Sequence, residues 1–310
     1  MPVTRSEMTP HVLLERNGLT LEIDPHGAQM RSFRTAEGQE LLWQGDPRTW
    51  PDHAPILFPL ISQMPGGRIH HRGRDYPMPP HGFAHSRDFV VSRQTGSSCG
   101  FELRDDEETR LHYPFAFGLN VGFDLSDDGL LVTIAVENPN DEPMPADVGF
   151  HPGFNWPLTP DRSKDEYAIV FEKDEPAPVR RGGDDPVLLY ADVEPTPVEG
   201  NVLYPRDEMF EGSPIMFDRL ISRSLTYGAR DGLGLRMDFP DSPHLGLWMI
   251  PGANYLCIEP WQGYPAEMDF DGQLMEKPGI AVIEPGETRR WRIGLTLLTA
   301  GEPHISTGSN

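Results

Sequence analysis

Short alternating apolar runs, cut at close intervals by proline and glycine, govern what this chain can fold into. There are 33 prolines and 31 glycines among 310 residues. Proline removes a backbone donor and glycine weakens element interiors, so such dense punctuation disfavours long helices and favours short strands joined by turns. Leu19, Leu21 and Ile23 alternate with polar neighbours. So do Phe115, Phe117, Leu119, Val121 and Phe123, then Val132, Ile134 and Val136, and finally Trp291, Ile293, Leu295 and Leu297. A period of two marks half-buried strands. Leu225, Tyr227, Gly234–Phe239 and His244–Ile250 read the same way.

The turn at Asp24–Gly27 and a second at Ala36–Gly38 place Leu41-Leu42-Trp43 as the third strand of a meander. Pro55-Ile56-Leu57-Phe58-Pro59-Leu60-Ile61 carries prolines that bar a helix interior or a central strand. Gly66–Arg74 reads as a hairpin with basic residues at its turn, most of them solvated. Glu172–Pro197, rich in Pro, Asp and Glu, reads as a peripheral excursion, because strand patterning is the same on both sides of it. The expectation is one all-β domain over 1–310, with about 1–10 and 301–310 as frayed ends.

The formal charge of -22 argues against nucleic acid and anionic membrane surfaces as partners, and a neutral small molecule suits it best. Acidic clusters such as Asp105–Glu108 and Asp184-Asp185 read as solvated loops. No apolar run reaches membrane-span length and Met1–Pro10 lacks an apolar signal segment, so a cytoplasmic location is expected. Cys99 and Cys257 are too few for a disulfide framework and lack metal-ligand spacing, so both read as free thiols.

Three segments carry chemistry. In Gly149-Phe150-His151-Pro152-Gly153-Phe154-Asn155-Trp156-Pro157, the proline pushes His151 into extended geometry and the glycine permits a turn after it, which fixes the imidazole at a strand end. Taken alone, a buried structural histidine is the better reading of this segment, and the two segments that follow change that weighing. In Pro79-Pro80-His81-Gly82-Phe83-Ala84-His85, the two histidines have metal-ligand spacing only on a helix. The prolines and Gly82 make a substrate-facing loop the better reading. In Tyr255-Leu256-Cys257-Ile258-Glu259-Pro260-Trp261, a carboxylate at the end of an apolar strand is desolvated, which raises its pKa toward that of a general base at neutral pH. The alternative is a salt-bridged structural glutamate. Gly96-Ser97-Ser98-Cys99-Gly100 fits a nucleophile elbow in letters only, because a strand pattern follows it where a helix is required.

With these segments in view, the chain resembles the aldose 1-epimerase (galactose mutarotase) superfamily, in its LacX-like branch. The matching stretches are Gly27-Ala28-Gln29, Glu40–Asp46, Ala54–Pro59, His81–Ala84, Gly149–Asn155, Cys257–Trp261, Gly279-Ile280 and Glu284–Glu287, in order along nearly the whole chain. The resemblance implies a large antiparallel β-sandwich, the supersandwich, with a sugar-binding cleft, and an isomerase that interconverts the α and β anomers of an aldose. By motif match, His151 is the general acid at the ring oxygen, Glu259 the general base at the anomeric hydroxyl, and His81 an assistant near the ring oxygen. Asp218, by a looser match, falls where the family places a carboxylate on sugar hydroxyls. Trp156 and Trp261 flank the two catalytic candidates, as sugar-stacking platforms or as ordinary core. No cofactor and no metal are implied, and the expected form is a monomer or homodimer.

Two positions depart from the branch. Gln63 and His85 stand in or near the sugar site where arginines are frequent. Losing two cations favours an unphosphorylated aldohexose or related sugar over a hexose 6-phosphate. Arg68, Arg72, Arg74 and Arg87 are the available substitutes. Two other readings stay open: a non-catalytic carbohydrate-binding protein on the same fold, and a metal-dependent β-sandwich enzyme using His81, His85, His151 and Glu259.

Overall fold

The computed structural model describes residues 10–182 and 188–298. The pair Asp184-Asp185 and nearly all of both expected frayed ends lie outside them. Two large antiparallel sheets build a β-sandwich, as the punctuation requires. One has nine strands in the order Val202–Leu203, Tyr167–Phe171, Ser224–Ala229, Gly234–Asp238, Thr288–Leu298, Gly129–Glu137, Gly118–Leu125, Ser98–Arg104 and Val90–Gln94. The alternating runs pair here: Ile134 stands opposite both Trp291 and Val121, and the inward set is buried. Thr95–Ser97 is the tight connection between the last two strands, and Ser98, the central serine of the Gly96–Gly100 motif, begins Ser98–Arg104, so it sits on a hairpin and not on an elbow.

The second sheet runs Leu189–Glu194, Val179–Gly182, Ile215–Phe217, His244–Trp248, Tyr255–Gln262, Val148–Phe150 and Ile56–Leu57, with Gly153–Asn155 also paired to Tyr255–Gln262. The proline-flanked Ile56–Leu57 takes the edge, where a missing donor costs least. The acidic excursion supplies the two strands at the opposite edge. Among the described residues, no helix is long and apolar enough to cross a membrane.

One expectation is corrected. Leu41–Trp43 does not close the N-terminal meander. The third strand there is Val12–Arg16, paired with Leu19–Asp24, which in turn pairs with Gln29–Arg34. The reason lies in Glu40. Its Oε1 accepts the backbone N–H groups of Phe33, Leu41 and Leu42 at 2.9, 3.1 and 3.0 Å. A side chain therefore does the work of a ladder, and the segment turns toward Gly153, whose carbonyl accepts from Trp43 N at 2.8 Å.

Beneath the end of Tyr255–Gln262 lies a fully buried ion pair, Lys277 Nζ to Asp147 Oδ2 at 2.7 Å. Lys277 also donates to Tyr264 O, and Asp147 Oδ2 accepts Ile61 N at 3.1 Å. The pair ties three loops together. Removing one partner strands a buried charge, so Lys277→Met is expected to cost about 3–5 kcal/mol in urea unfolding, and the double variant Asp147→Leu/Lys277→Met to recover most of that loss.

Candidate active site

His151 and Glu259 meet because of strand register. Along Tyr255–Gln262, Gly149 stands opposite Trp261 and Gly153 opposite Cys257. The position between, His151, therefore falls opposite Glu259. Pro152 interrupts the ladder at that point, and Val148–Phe150 and Gly153–Asn155 are separate strands on either side of the break. Glu259 is not the end of its strand, as the sequence suggested. It lies within a strand whose partner is broken. The backbone stays satisfied, since His151 N donates to Pro55 O at 3.1 Å and Gly153 N to His53 O at 2.8 Å.

His151 Nε2 lies 3.1 Å from Glu259 Oε2, without hydrogen-bond alignment. Glu259 Oε2 and His151 Nδ1 have no hydrogen-bond partner, although Glu259 is 1 % exposed and His151 7 %. Buried polar atoms left this way are costly, and functional sites are where such a cost is retained. Burial pushes the Glu259 carboxyl well above the usual carboxylate range. Burial, reinforced by His81, pushes the His151 imidazole well below the usual histidine range. Each shift strengthens the charged form as a reagent: the carboxylate is a stronger base and the imidazolium a stronger acid.

His81 joins them, its ring centroid 5.6 Å from that of His151 in an edge-to-face arrangement. It occupies the left-handed region at φ 62°, as does Ser62 at φ 57°. The two are locked to each other. His81 N donates to Ser62 O at 2.7 Å, and Ser62 N donates to His81 Nδ1 at 3.1 Å. Because Nδ1 accepts, the neutral ring carries its proton on Nε2. Burial, with His85 adding to it, lowers His81 to about 4, which keeps it a neutral donor. Gly82 makes the loop possible: a Cβ there would sit 2.1 Å from Phe58 O, at φ +71°. His81 and His85 share no helix face. Only the single turn Ala84–Ser86 is helical there.

These groups line a cleft of about 230 Å³ with Trp50, Asp52, Pro55, Leu57, Ser62, His85, Pro214, Trp248, Trp261 and Pro265. Trp50 stacks on His151, with centroids 5.1 Å apart and planes at 28°, and Trp248 meets the same ring edge-on at 5.9 Å. Gly153 is what admits Trp50, since a Cβ there would lie 2.5 Å from Trp50 Cζ3. Trp261 lies over Gly149 and Gly246, where a Cβ would meet its indole at 2.8 Å in each case.

The structure brings together His151, Glu259, His81, His85 and Trp261. It places the other expected residues elsewhere. Trp156 is fully buried in the core, its Nε1 donating to Lys164 O at 3.1 Å and Lys164 Nζ standing 4.5 Å over its ring. That indole is satisfied away from the cleft. Asp218 lies beside Arg180, Oδ2 to Nη1 at 3.7 Å, and is not among the cleft-lining residues. Neither is Gln63, whose amide lies near Gly67. Trp50, Asp52 and Trp248 are the residues that sequence reading missed. Their segments carry no spacing signal, and only the rings themselves hinted at a sugar platform.

The site has a stability cost with a definite sign. Glu259 holds its proton in the folded chain at pH values where the unfolded chain, near 4.3, releases it. Its contribution is complete below that value and is lost as pH rises toward the folded pKa. Glu259→Gln is therefore expected to raise Tm in neutral buffer, with the gain shrinking to nothing below about pH 4. Differential scanning calorimetry at both pH values checks this.

The sequence model of the aldose 1-epimerase family matches residues 10–296. The chromosomally encoded protein LacX of Lactococcus lactis subsp. lactis is 29% identical over 294 residues, covering 92% of this chain and 98% of LacX. A galactose mutarotase-like protein from Lactobacillus casei superimposes with a TM-score of 0.86 at 30% identity, covering 93% of this chain and 100% of that one. A galactose mutarotase related enzyme from Lactobacillus acidophilus gives 0.84 at 29% identity, covering 96% and 100%. The family model spans both strands of the acid–base pair and the His81 loop, and the chain belongs to the aldose 1-epimerase family.

Proposed function

We propose that this protein is a mutarotase that interconverts the anomers of an unphosphorylated aldohexose or related sugar, with Glu259 as base, His151 as acid and His81 as a neutral hydrogen-bond donor. The observation that carries this reading is the 3.1 Å approach of His151 Nε2 to Glu259 Oε2 inside an aromatic cleft. Anomer exchange needs one proton removed and one added at two oxygens of a single carbon. An acid and a base must then stand side by side, and this pair does.

The reactive form is the ion-paired one, in which the Glu259 proton has passed to His151 across the 3.1 Å gap, and the Glu259 carboxylate then takes the proton of the anomeric hydroxyl. The electron pair forms the C1 carbonyl and the bond from C1 to the ring oxygen breaks. The ring oxygen takes the proton from the His151 imidazolium. The pair is now neutral, which is the form burial favours, so the medium assists the transfer. Rotation about C1–C2 presents the other carbonyl face, and as the ring closes Glu259 returns its proton to the carbonyl oxygen while His151 takes back the proton of the ring-forming hydroxyl. Each positioned group contributes about 10²–10⁴ in rate, and two together lower the barrier by roughly 5–11 kcal/mol.

Among the described residues, the cleft lining contains no Lys or Arg. Arg68, Arg72 and Arg87 pair with Asp75, with Glu142, and with Glu108 and Asp106. These contacts support an uncharged substrate, and a free sugar is expected to turn over in preference to its 6-phosphate. The test follows the optical rotation of freshly dissolved α-glucose and α-galactose. Glu259→Gln and His151→Asn are each expected to lower kcat by about 10²–10⁴ with little change in KM. Sugar affinity retained with no enzymatic rate in the wild type would support instead the non-catalytic binding protein. A preference for the 6-phosphate would overturn the uncharged-substrate reading.

A further inference from the structure

The function proposed above leaves Cys257 unused. It precedes Glu259 by two positions on the same strand, so both side chains leave the same face of the sheet. It also stands opposite Gly153, next to the break that places His151. One ligand atom each from His151, Cys257 and Glu259 lies within 4.8 Å of the others, and all three residues are buried. Two of the three carry polar atoms with no hydrogen-bond partner, His151 Nδ1 and Glu259 Oε2. A thiol, an imidazole and a carboxyl around one point form the mixed donor set of a zinc-type site.

We infer that these three residues form a binding site for a thiophilic divalent cation, zinc in kind, at the inner wall of the cleft. Zinc holds sulfur, nitrogen and oxygen at about 2.0–2.3 Å in a tetrahedron, which puts its ligands roughly 3.3–3.8 Å apart, so the set closes on an ion by contracting about 1–1.5 Å at its widest separation. Charge favours it. A dication that displaces the protons of Cys257 and Glu259 leaves thiolate, carboxylate and metal with no net charge, the condition a fully buried site requires. The two displaced protons leave to solvent. Three protein ligands leave a further coordination position, and His151 and Glu259 both line the cleft through which an ion enters. On the mutarotase reading, a bound ion occupies both proton-transfer groups, so it inhibits competitively with sugar.

Cobalt(II), which reports its ligands spectroscopically, tests the site without reference to turnover. Titration of the full chain under anaerobic conditions is expected to saturate at one equivalent, with a thiolate-to-cobalt charge-transfer band. Cys257→Ser is expected to abolish the band and weaken binding by more than about tenfold. His151→Asn keeps the thiol and is expected to weaken binding similarly, which preserves the test if the serine variant does not fold. Cys99→Ser, altering the buried thiol of the other sheet, is expected to leave the band intact. No thiolate band in the wild type, or a band that survives Cys257→Ser or disappears with Cys99→Ser, overturns the site. Zinc added to a rotation assay is expected to raise the apparent KM and a chelator to restore it. A cobalt band with no effect on rotation keeps the metal site and sinks its link to turnover.

Discussion

The structure depends on one register. A single strand, Tyr255–Gln262, is paired on one side by two short strands with His151 between them, and that gap sets a histidine against a glutamate in the interior. An unbroken partner strand would have spent the same backbone on ladder hydrogen bonds. Pro152, which has no N–H to donate, makes the break inexpensive. The donors on either side are taken by carbonyls of the Pro51–Pro55 segment, so the N–H groups of His151 and Gly153 stay satisfied across the gap. The cost is concentrated in the side chains, where two polar atoms stay unpartnered.

The rest of the cleft is arranged around keeping those side chains still. An imidazole with no hydrogen bond at Nδ1 would be free to turn, but Trp50 lies against its face and Trp248 against its edge. Trp50 is itself held by Trp43, whose Nε1 donates to Trp50 O at 2.8 Å, and Trp43 is held by Gly153. The chain that begins at the His151 break thus returns to support it. The paired left-handed residues Ser62 and His81 serve the second imidazole in the same manner. Non-glycine residues in that region cost about 1–3 kcal/mol each, and they persist where surrounding contacts over-determine them. Here the contact is reciprocal, each residue supplying the hydrogen bond that holds the other.

Much of this was legible in the sequence, for physical reasons that differ from residue to residue. Period-two alternation reports a half-buried sheet directly, so the strands around Phe123, Ile134 and Ile293 could be read without tertiary information. His151 was readable because Pro152 and Gly153 fix its backbone locally. His81 and Glu259 carried weaker local signals, a Pro/Gly-framed loop and an apolar strand, and gained specific roles only through the resemblance. What the sequence misplaced shares one cause. Leu41–Trp43 has strand propensity, but Glu40 takes its donors, and side-chain capping of that kind has no period. Trp156 adjoins the His151 segment in sequence, yet successive strand residues point to opposite faces and neighbours along the chain part ways. Trp50 and Trp248 lie far from His151 in sequence and touch it only in the fold.

The same burial that pushes the Glu259 carboxyl up and the His151 imidazole down restricts what can bind between them. Glu259 and Asp52 are the carboxylates of the lining, and no cation there offsets a charged ligand. A phosphorylated sugar would bring two negative charges toward a desolvated carboxylate, whereas a neutral pyranose brings hydroxyls for the unpartnered nitrogen and oxygen and a ring face for the indoles. The departure at His85 then agrees with the acidic surface. Arginine at that position would place a permanent charge near His151, whose pKa is already lowered by burial and by the histidines beside it. On the function proposed above, a neutral ligand and a desolvated acid–base pair are two consequences of one choice of lining.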